Sequence, residues 1–201
     1  KSALFKTFGD IDSYPLCIRT KDVEEIIKTI KLFAGSWGGI NLEDISSPRC
    51  FEIETRLKEE LDIPVFHDDQ HGTAIVVLAG VINGLKVVGK EKEDCKVVVN
   101  GAGSAGVAIT KLLLTYGFSN IVMCDKVGIL SKSTEGLNWM QQKMTEVTNL
   151  ENKKGTLADA LKGADIFVGV SAPNIVTPEM VASMNKDSIL FAMANPVPEI
   201  M

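Results

Sequence analysis

The distribution of apolar and polar residues predicts alternating strands and helices along most of the chain. In the second half, short apolar runs that are typical of strands are separated by segments with helical spacing. The strands are predicted at residues 96–100, 121–124, 166–170 and 189–194. Four helices are predicted between them: one that follows the first strand and ends at Gly117, two that cover residues 138–147 and 156–161, and one that starts at Thr177. Strands and helices that alternate in this way form a parallel, doubly wound sheet, so the sequence predicts the α/β class.

The first third shows the same alternation, but less regularly. Residues 1–8 fit either a helix or a strand. Strands are predicted at 14–18, 37–42 and 63–66, one helix from Thr20 as N-cap to Gly35, and another opened by Ser47 and Pro48. We therefore predict a smaller α/β part over residues 1–72, followed by a doubly wound domain over residues 73–201.

The segment Thr73–Val88 is almost wholly apolar and directly follows two carboxylates, Asp68 and Asp69. A membrane-spanning helix needs about 20 apolar residues, so this shorter segment predicts a helix buried in a soluble core. The free amides of a helix N-terminus neutralise part of one negative charge, but hardly two. Two interpretations remain: an N-cap aspartate with a solvated neighbour, or a cation site between the two parts of the chain.

A second carboxylate pair, Glu43 and Asp44, follows another predicted strand. The carboxyl ends of parallel strands border a common crevice, so we expect both pairs to face it. Adjacent residues in a strand point to opposite faces. Glu43 and Asp44 can therefore reach the same ion only if the chain has already turned out of the strand, and Ser46-Ser47-Pro48 allow such a turn. Hard oxygen ligands favour Mg²⁺ or Mn²⁺ over zinc. We interpret the neighbouring His67 and His71 as structural residues.

A glycine-rich motif, Gly101-Ala102-Gly103-Ser104-Ala105-Gly106, lies between a predicted strand and a predicted helix. This context identifies a Rossmann dinucleotide fingerprint. Gly101 is expected to allow the tight turn, Gly103 to let the backbone approach the pyrophosphate, and Gly106 to permit close helix packing. The phosphates are expected at the helix N-terminus, where free amides point at them.

The acid expected about 20 residues after the glycines is Asp125, at the end of the next predicted strand. Its carboxylate would bind the ribose hydroxyls and repel a 2′-phosphate, which favours NAD over NADP. The adjacent Lys126 weakens that preference. The alternative is an ordinary acid in a strand-end turn. Asn174, after the strand at 166–170, is expected near the cofactor.

The amino-acid composition argues against some classes of protein. The chain of 201 residues has a formal charge of −5, which argues against nucleic-acid binding, and 45% apolar residues. Its four cysteines are far apart and form no CxxC pair, so they predict reduced, buried thiols of an intracellular protein. We expect no membrane partner. Because the sequence begins at Lys1 without an initiator methionine and stops after Asn195-Pro196, we interpret it as part of a longer polypeptide.

With these motifs in hand, the chain resembles the central part of a malic enzyme of the shorter bacterial type. The resemblance extends from Lys1 to the C-terminus. It is most specific at four motifs, Gly38-Gly39-Ile40-Asn41-Leu42-Glu43-Asp44-Ile45, His67-Asp68-Asp69-Gln70-His71-Gly72-Thr73-Ala74, Gly101 to Gly106, and Ala194-Asn195-Pro196.

The resemblance implies roles for particular residues. Glu43, Asp44 and Asp69 would bind the divalent cation, Asp68 would be an acid beside them, and Asn195 would contact substrate. The implied cofactor residues are Gly101, Gly103, Ser104, Ala105, Gly106, Asp125, Lys126, Ser171, Ala172, Asn174 and Asn195. Lys1 matches the catalytic lysine that precedes a Leu-Phe pair; Lys6 is the alternative, and an ordinary solvated lysine is the structural interpretation.

The implied reaction is the oxidative decarboxylation of (S)-malate to pyruvate and CO₂ with reduction of NAD or NADP, dependent on Mg²⁺ or Mn²⁺. A lysine serves as the base only if its pKa falls well below about 10.4. The family resemblance also implies a cytoplasmic homodimer. The family's general-acid tyrosine belongs to a segment outside this sequence, so we expect little turnover from the 201 residues alone.

Two other interpretations fit part of the sequence. A metal-free NAD(P) dehydrogenase of the amino-acid or methylene-tetrahydrofolate kind would share the fingerprint, but it leaves Glu43, Asp44 and Asp69 unexplained. A non-catalytic nucleotide-sensing module would need neither Lys1 nor these carboxylates.

Overall fold

The computed structural model describes residues 1–201 and contains two sheets surrounded by helices. The helices are α1 (Ser2–Gly9), α2 (Val23–Phe33), α3 (Arg49–Glu60), α4 (Thr73–Val88), α5 (Ser104–Tyr116), α6 (Trp139–Thr145), α7 (Leu157–Leu161) and α8 (Pro178–Ala182). The strands are β1 (Ile40–Leu42), β2 (Val65–His67), β3 (Lys96–Asn100), β4 (Asn120–Asp125), β5 (Gly128–Ile129), β6 (Ile166–Gly169) and β7 (Ile189–Ala192).

The larger sheet has the strand order β5-β4-β3-β6-β7 and is parallel except for β5. After β4 and β5 the chain crosses to the other side of β3, so the direction of winding reverses between β3 and β6. Ligands of doubly wound sheets bind in the crevice outside such a switch point. The predicted α/β class and doubly wound sheet are confirmed. The pattern missed β5 because two residues are too few to show a period.

The smaller sheet consists of β1 and β2, which are parallel, with Leu42 opposite His67. This register places the two carboxylate pairs side by side, because each pair follows the last residue of its strand. The strand predicted at residues 14–18 is wrong. That segment has no regular structure, and Tyr14 and Leu16 are exposed. Without a neighbouring strand its backbone groups have no ladder partners, so strand propensity alone does not form a strand.

Two of the predicted helix starts are wrong. The N-cap of α2 is Asp22, whose side chain accepts a hydrogen bond from the Glu25 amide at 2.9 Å. Thr20 instead accepts one from the Asp22 amide and so supports the true cap. Helix α3 begins at Arg49 with no side-chain cap. The capping residues predicted for α7 and α8, Thr156 and Thr177, are confirmed.

Helix α4 begins and ends as predicted, but it is buried on one face only. Ala74, Val77, Val81 and Leu85 pack in the largest core cluster, whereas Ile75, Val76 and Val87 are exposed. A preceding π-helical turn, Asp68–Gly72, extends the helix to 21 residues, so by length and composition alone it would span a membrane. The length argument against a span is therefore wrong, although core helices of soluble proteins meet the same criteria.

Two interior glycines let α4 lie close to the last strand. A Cβ on Gly80 would come within 2.8 Å of the Phe191 ring, and one on Gly84 within 3.0 Å of the Ile189 side chain. Interior helix glycines cost roughly 0.5–1 kcal/mol each relative to alanine. The close packing offsets this cost and fixes the height of α4 on the sheet.

An apolar cluster joins the small part of the chain to the large one. Cys50 and Phe51 of α3 pack with Ala102 of the glycine-rich loop, Val107 of α5 and Met140 of α6. The start of α3, and with it the Glu43-Asp44 loop, is therefore held against the nucleotide-binding half. Three cysteines are buried and unpaired as predicted, but Cys17 is exposed because the segment around it forms no strand.

Asp165 directly precedes β6 and joins several residues at the amino end of the strands of the large sheet. Its buried carboxylate accepts hydrogen bonds from the Lys90 ammonium (2.8 Å), the Lys96 amide (2.9 Å) and the Asn185 side chain (2.9 Å). Burial pushes the pKa of Asp165 upwards, but these donors outweigh it and leave the pKa below its ordinary value.

We expect Asp165→Asn to lower the free energy of unfolding by about 1–3 kcal/mol at pH 7, because one donor loses its charged acceptor. A carboxyl group whose pKa is lowered by folding stabilises the protein above its unfolded-state pKa, near 4, and loses that contribution as pH falls through the folded value. Urea unfolding at pH 7 and pH 3 should therefore show a smaller difference between variant and wild type at pH 3. A difference that is the same at both pH values would contradict this assignment.

Candidate active site

The two carboxylate-bearing loops meet around the amino group of Lys1. Its Nζ donates a hydrogen bond to Oδ2 of Asp68 at 2.5 Å and lies 3.4 Å from Oε1 of Glu43. Lys1 and Asp68 are 67 residues apart in sequence, and Lys1 is held by its position at the start of α1. The structure thus brings Lys1, which only the family resemblance selected, into contact with one residue from each of the two carboxylate pairs.

Asp44 and Asp69 lie in the same group, although their contact runs through the backbone. Oδ2 of Asp69 accepts a hydrogen bond from the Asp44 amide at 3.1 Å. Asp44 has a φ of 59°, a left-handed conformation that turns the chain out of β1. The turn that the Glu43-Asp44 pair required is therefore present.

The carboxylates are close, but they do not form a finished metal site. No group of three His, Cys, Asp or Glu side chains is placed to hold a metal ion. Lys1 provides the positive charge that balances Asp68 and Glu43. The all-oxygen character of Glu43, Asp44 and Asp69 fits a hard divalent cation, and binding one ion through all three requires their side chains to rearrange.

The protonation state of Lys1 follows from these contacts. Its hydrogen bond to Asp68 raises the pKa of Lys1 above the ordinary value; slight burial acts in the opposite direction and is outweighed. Lys1 is therefore an ammonium group at neutral pH in this arrangement. This direction is opposite to the one that a lysine base requires.

The two histidines of the motif differ in environment. His71 is 2.6 Å from the buried carboxylate of Glu54, which also pairs with Lys58. His67 is fully buried with no hydrogen-bond partner for either ring nitrogen, and burial lowers its pKa, so it is neutral at pH 7. Arg49, at the start of α3, donates hydrogen bonds to the Lys21 carbonyl and the Ser46 hydroxyl and pairs with no carboxylate.

The glycine-rich loop has the geometry that the fingerprint predicts. Gly101 has a φ of 113°, and a Cβ there would lie 2.6 Å from the carbonyl oxygen of Val170. A Cβ on Gly106 would lie 1.7 Å from the carbonyl oxygen of Gly101, so only glycine allows α5 to approach the loop. Gly103 has no atom within 4 Å of the same position, and no side chain caps α5. The first turn of α5, with Ser104 and Ala105, thus offers free amides beside open space.

Asp125 lies at the end of β4 and is held from two sides. Its Oδ1 accepts a hydrogen bond from the Lys126 amide at 2.8 Å, and its Oδ2 accepts one from Nε2 of Gln141 at 2.9 Å. Gln141 also completes a capping box with Asn138 at the start of α6. The carboxylate is therefore oriented before any ribose binds. The Asn138-x-x-Gln141 spacing is a capping signal that could have identified Gln141 from sequence.

The remaining predicted cofactor residues lie beyond the ends of β6 and β7. Ser171 Oγ accepts a hydrogen bond from the buried Asn100 side chain at 2.6 Å, which joins the ends of β3 and β6. Ala172 and Asn174 are exposed on the loop that follows, and Asn195 is exposed on the loop after β7. These residues follow the carboxyl ends of adjacent parallel strands, the edge at which doubly wound sheets bind their ligands. The π-helical turn that carries Asp68 and Asp69 contacts α5, the helix that follows the glycine-rich loop.

Sequence reasoning missed Glu199, the most deeply buried acid of this region. Its side chain is 0% exposed, and its oxygens accept hydrogen bonds from the Ser171 and Ala194 amides at 2.9 and 3.0 Å. A glutamate in a proline-containing loop shows no periodicity, so no sequence signal identifies it.

The doubly wound sheet, the open glycine-rich loop and the oriented strand-end acid define a dinucleotide-binding α/β protein. Comparison with known families makes the assignment specific. Residues 70–200 match the malic enzyme NAD-binding domain, and residues 1–58 match the malic enzyme N-terminal domain. The chain belongs to the malic enzyme family.

Individual relatives agree with this assignment. The chain is 56% identical to an NAD-dependent malic enzyme of Geobacillus stearothermophilus and 52% identical to a bifunctional malic/malolactic enzyme of Bacillus subtilis, with all of the chain covered. The crystal structure of an NAD-dependent malic enzyme from Thermotoga maritima superposes over the whole chain with a TM-score of 0.97 and 49% identity. The chain spans 42%, 49% and 54% of these proteins, about half of their length.

The glycine geometry separates folding from nucleotide binding. We expect Gly106→Ala to destabilise the protein by about 3 kcal/mol or more, because the added methyl group collides with the loop backbone. Gly103→Ala should change stability by less than about 0.5 kcal/mol, yet weaken NADH binding at least tenfold by filling the space next to α5. Thermal unfolding and NADH fluorescence titration measure the two effects. Equal losses of stability in both variants would contradict the assignment of Gly103 to the ligand.

Proposed function

We propose that the complete protein catalyses the oxidative decarboxylation of (S)-malate to pyruvate and CO₂, with reduction of NAD or NADP and with Mg²⁺ or Mn²⁺ as the cation. Family membership supports the reaction class. The observation that carries the proposal is the contact of Lys1 with Asp68 and Glu43. A dinucleotide-binding module without catalytic function has no need for a lysine between carboxylates from two loops.

The proposed roles follow the positions of the side chains. Lys1 accepts the proton of the substrate hydroxyl in its neutral form, which requires a lower pKa than its contacts with Asp68 and Glu43 give it in this arrangement. Asp68 fixes the position of the Lys1 amino group. Asn195 binds a substrate carboxylate or carbonyl oxygen from the crevice side. The glycine-rich loop and Asp125 would hold the nicotinamide cofactor, which would supply the acceptor for the hydride at C2 of malate.

The proposed cation would be held by Glu43, Asp44 and Asp69. Their oxygens suit Mg²⁺ or Mn²⁺, and they come from two loops whose backbones already touch through Asp44 and Asp69. When bound, the ion acts as a Lewis acid that polarises a substrate oxygen and stabilises developing negative charge. A metal-free dehydrogenase would leave this convergence of acids without a purpose.

A second candidate is malolactic conversion, in which malate gives lactate and CO₂ without net formation of NADH. It is supported by the 52% identity to a relative named as a bifunctional malic/malolactic enzyme. The same residues would serve both reactions. Product analysis for lactate and pyruvate distinguishes the two. The predictions of a cytoplasmic homodimer and of binding neither nucleic acid nor membranes stay predictions.

We expect malate-dependent NADH or NADPH formation by the complete protein to be lost in EDTA and restored by Mn²⁺. Mn²⁺ at 100 times its Kd should also stabilise the fold by about 2.7 kcal/mol, which raises the melting temperature by on the order of 5 °C. Asp69→Asn should reduce both effects, whereas Glu59→Gln, an exposed acid on α3, should leave them unchanged. Full activity in EDTA would exclude the metal-dependent reaction.

Asp125 is proposed to favour NAD over NADP. We expect wild type to bind NADH more tightly than NADPH, and Asp125→Asn to reduce that ratio about tenfold, since the variant keeps the shape but removes the charge that repels a 2′-phosphate. Lys126→Gln should change the ratio in the opposite direction. Fluorescence titration with both nucleotides provides the measurement. A ratio that Asp125→Asn leaves unchanged would assign the acid to strand-end structure only.

A further inference from the structure

The buried carboxylate of Glu199 is not explained by packing alone. A charged side chain that is 0% exposed is costly unless its oxygens are satisfied. Here both oxygens accept hydrogen bonds from neutral backbone amides, those of Ser171 and Ala194. Such bonds to an ionised acceptor are shorter and stronger than bonds between neutral groups. The carboxylate therefore joins two loops rather than balancing a side-chain cation.

The two loops follow the carboxyl ends of β6 and β7, the edge at which doubly wound sheets bind their ligands. Ser171 opens the loop after β6 that carries Ala172 and Asn174, and Ala194 directly precedes Asn195 after β7. The backbone adds further contacts, because the Asn174 and Val176 amides donate to the carbonyls of Pro198 and Glu199 at 3.0 Å. The segment that ends in Glu199 thus folds back across the ends of both strands.

The sheet itself provides the space for this carboxylate. A Cβ on Gly169, the last residue of β6, would lie 2.4 Å from Cδ of Glu199. Gly169 pairs with Ala192 in the ladder between β6 and β7, so the acid packs against the face of the sheet at the last pair of residues that these strands share. Only a residue without a side chain permits that position.

We propose that Glu199 is a positioning residue that sets the distance between the cofactor loop at Ser171 and the substrate loop at Asn195. This inference deepens the proposed function and rests on it for its catalytic consequence. The two loops depend on Glu199 to different degrees. Ser171 is also held by the Asn100 side chain at 2.6 Å, whereas Glu199 is the hydrogen-bond acceptor for the Ala194 amide. Loss of the carboxylate therefore releases the Asn195 loop more than the cofactor loop.

The test compares Glu199→Gln with Asp165→Asn in the complete protein. Both changes replace a buried carboxylate by its amide, and the two sites lie at opposite ends of β6. Glu199 accepts two backbone hydrogen bonds, and Asp165 accepts one together with two from side chains. Glu199→Gln presents an NH₂ group to one of two amide donors, so one contact is lost. We expect kcat for malate oxidation to fall about tenfold or KM for malate to rise by that factor, while the Kd for NADH changes less than about threefold. Asp165→Asn should lower the melting temperature but leave kcat and KM unchanged.

Two further measurements keep the outcome independent of stability and of the proposed reaction. Gly169→Ala retains Glu199 but displaces its carboxylate, and it should reproduce the kinetic pattern of Glu199→Gln. Hydrogen exchange of the peptide around Ala194, measured well below the melting temperature, should be at least about tenfold faster in Glu199→Gln and unchanged in Asp165→Asn.

The results separate the two possible failures. Wild type without malate-dependent turnover would refute the proposed function, and the exchange measurement would still decide whether Glu199 holds the loop. Unchanged kcat, KM and exchange in Glu199→Gln, with a melting temperature lowered as in Asp165→Asn, would overturn the positioning role and leave Glu199 as a structural acid.

Discussion

A single helical segment, Asp68–Val88, connects the two parts of the chain and fixes the acids of one part relative to the core of the other. The π-helical turn Asp68–Gly72 continues into α4 without interruption, so the acids at its start and the apolar face of α4 move as one body. That face packs in the core of the large sheet, and Gly80 and Gly84 bring the helix close to β7. The position of Asp68 and Asp69 is therefore fixed by burial of apolar surface, the strongest force available to a domain of this size.

The charged side chains at the junction of the two parts neutralise one another through close contact, although none of them is deeply buried. Lys1 and its partners Asp68 and Glu43 are each about one-third exposed, so water screens their attraction and the pairs add little to stability. Their importance lies in geometry. Exposed, adjustable carboxylates are compatible with a site that exchanges an ammonium partner for a cation and substrate, whereas a tightly buried ion pair would resist that change.

The two buried acids next to β6, Asp165 and Glu199, make similar hydrogen bonds but have different roles. Asp165 accepts one hydrogen bond from a backbone amide, that of Lys96, and two from the side chains of Lys90 and Asn185, all at the amino end of β6. Glu199 ties the loops at the carboxyl ends of the strands. Doubly wound sheets bind their ligands at the carboxyl edge of the strands, which is why we assign a positioning role to Glu199 and a structural role to Asp165 at the opposite edge.

The sequence by itself determined the parallel sheet, α4, the caps at Thr156 and Thr177, and the glycine-rich loop, because each rests on local period, capping chemistry or steric need. Tertiary structure decided what local signals do not contain. It left residues 14–18 irregular for want of a neighbouring strand, moved the cap of α2 to Asp22, and paired Lys1 with Asp68 across 67 residues. It also gave Asp125 its partner Gln141 and Glu199 its two amides. These contacts depend on the distance between loops, which is set only when the helices pack on the sheet.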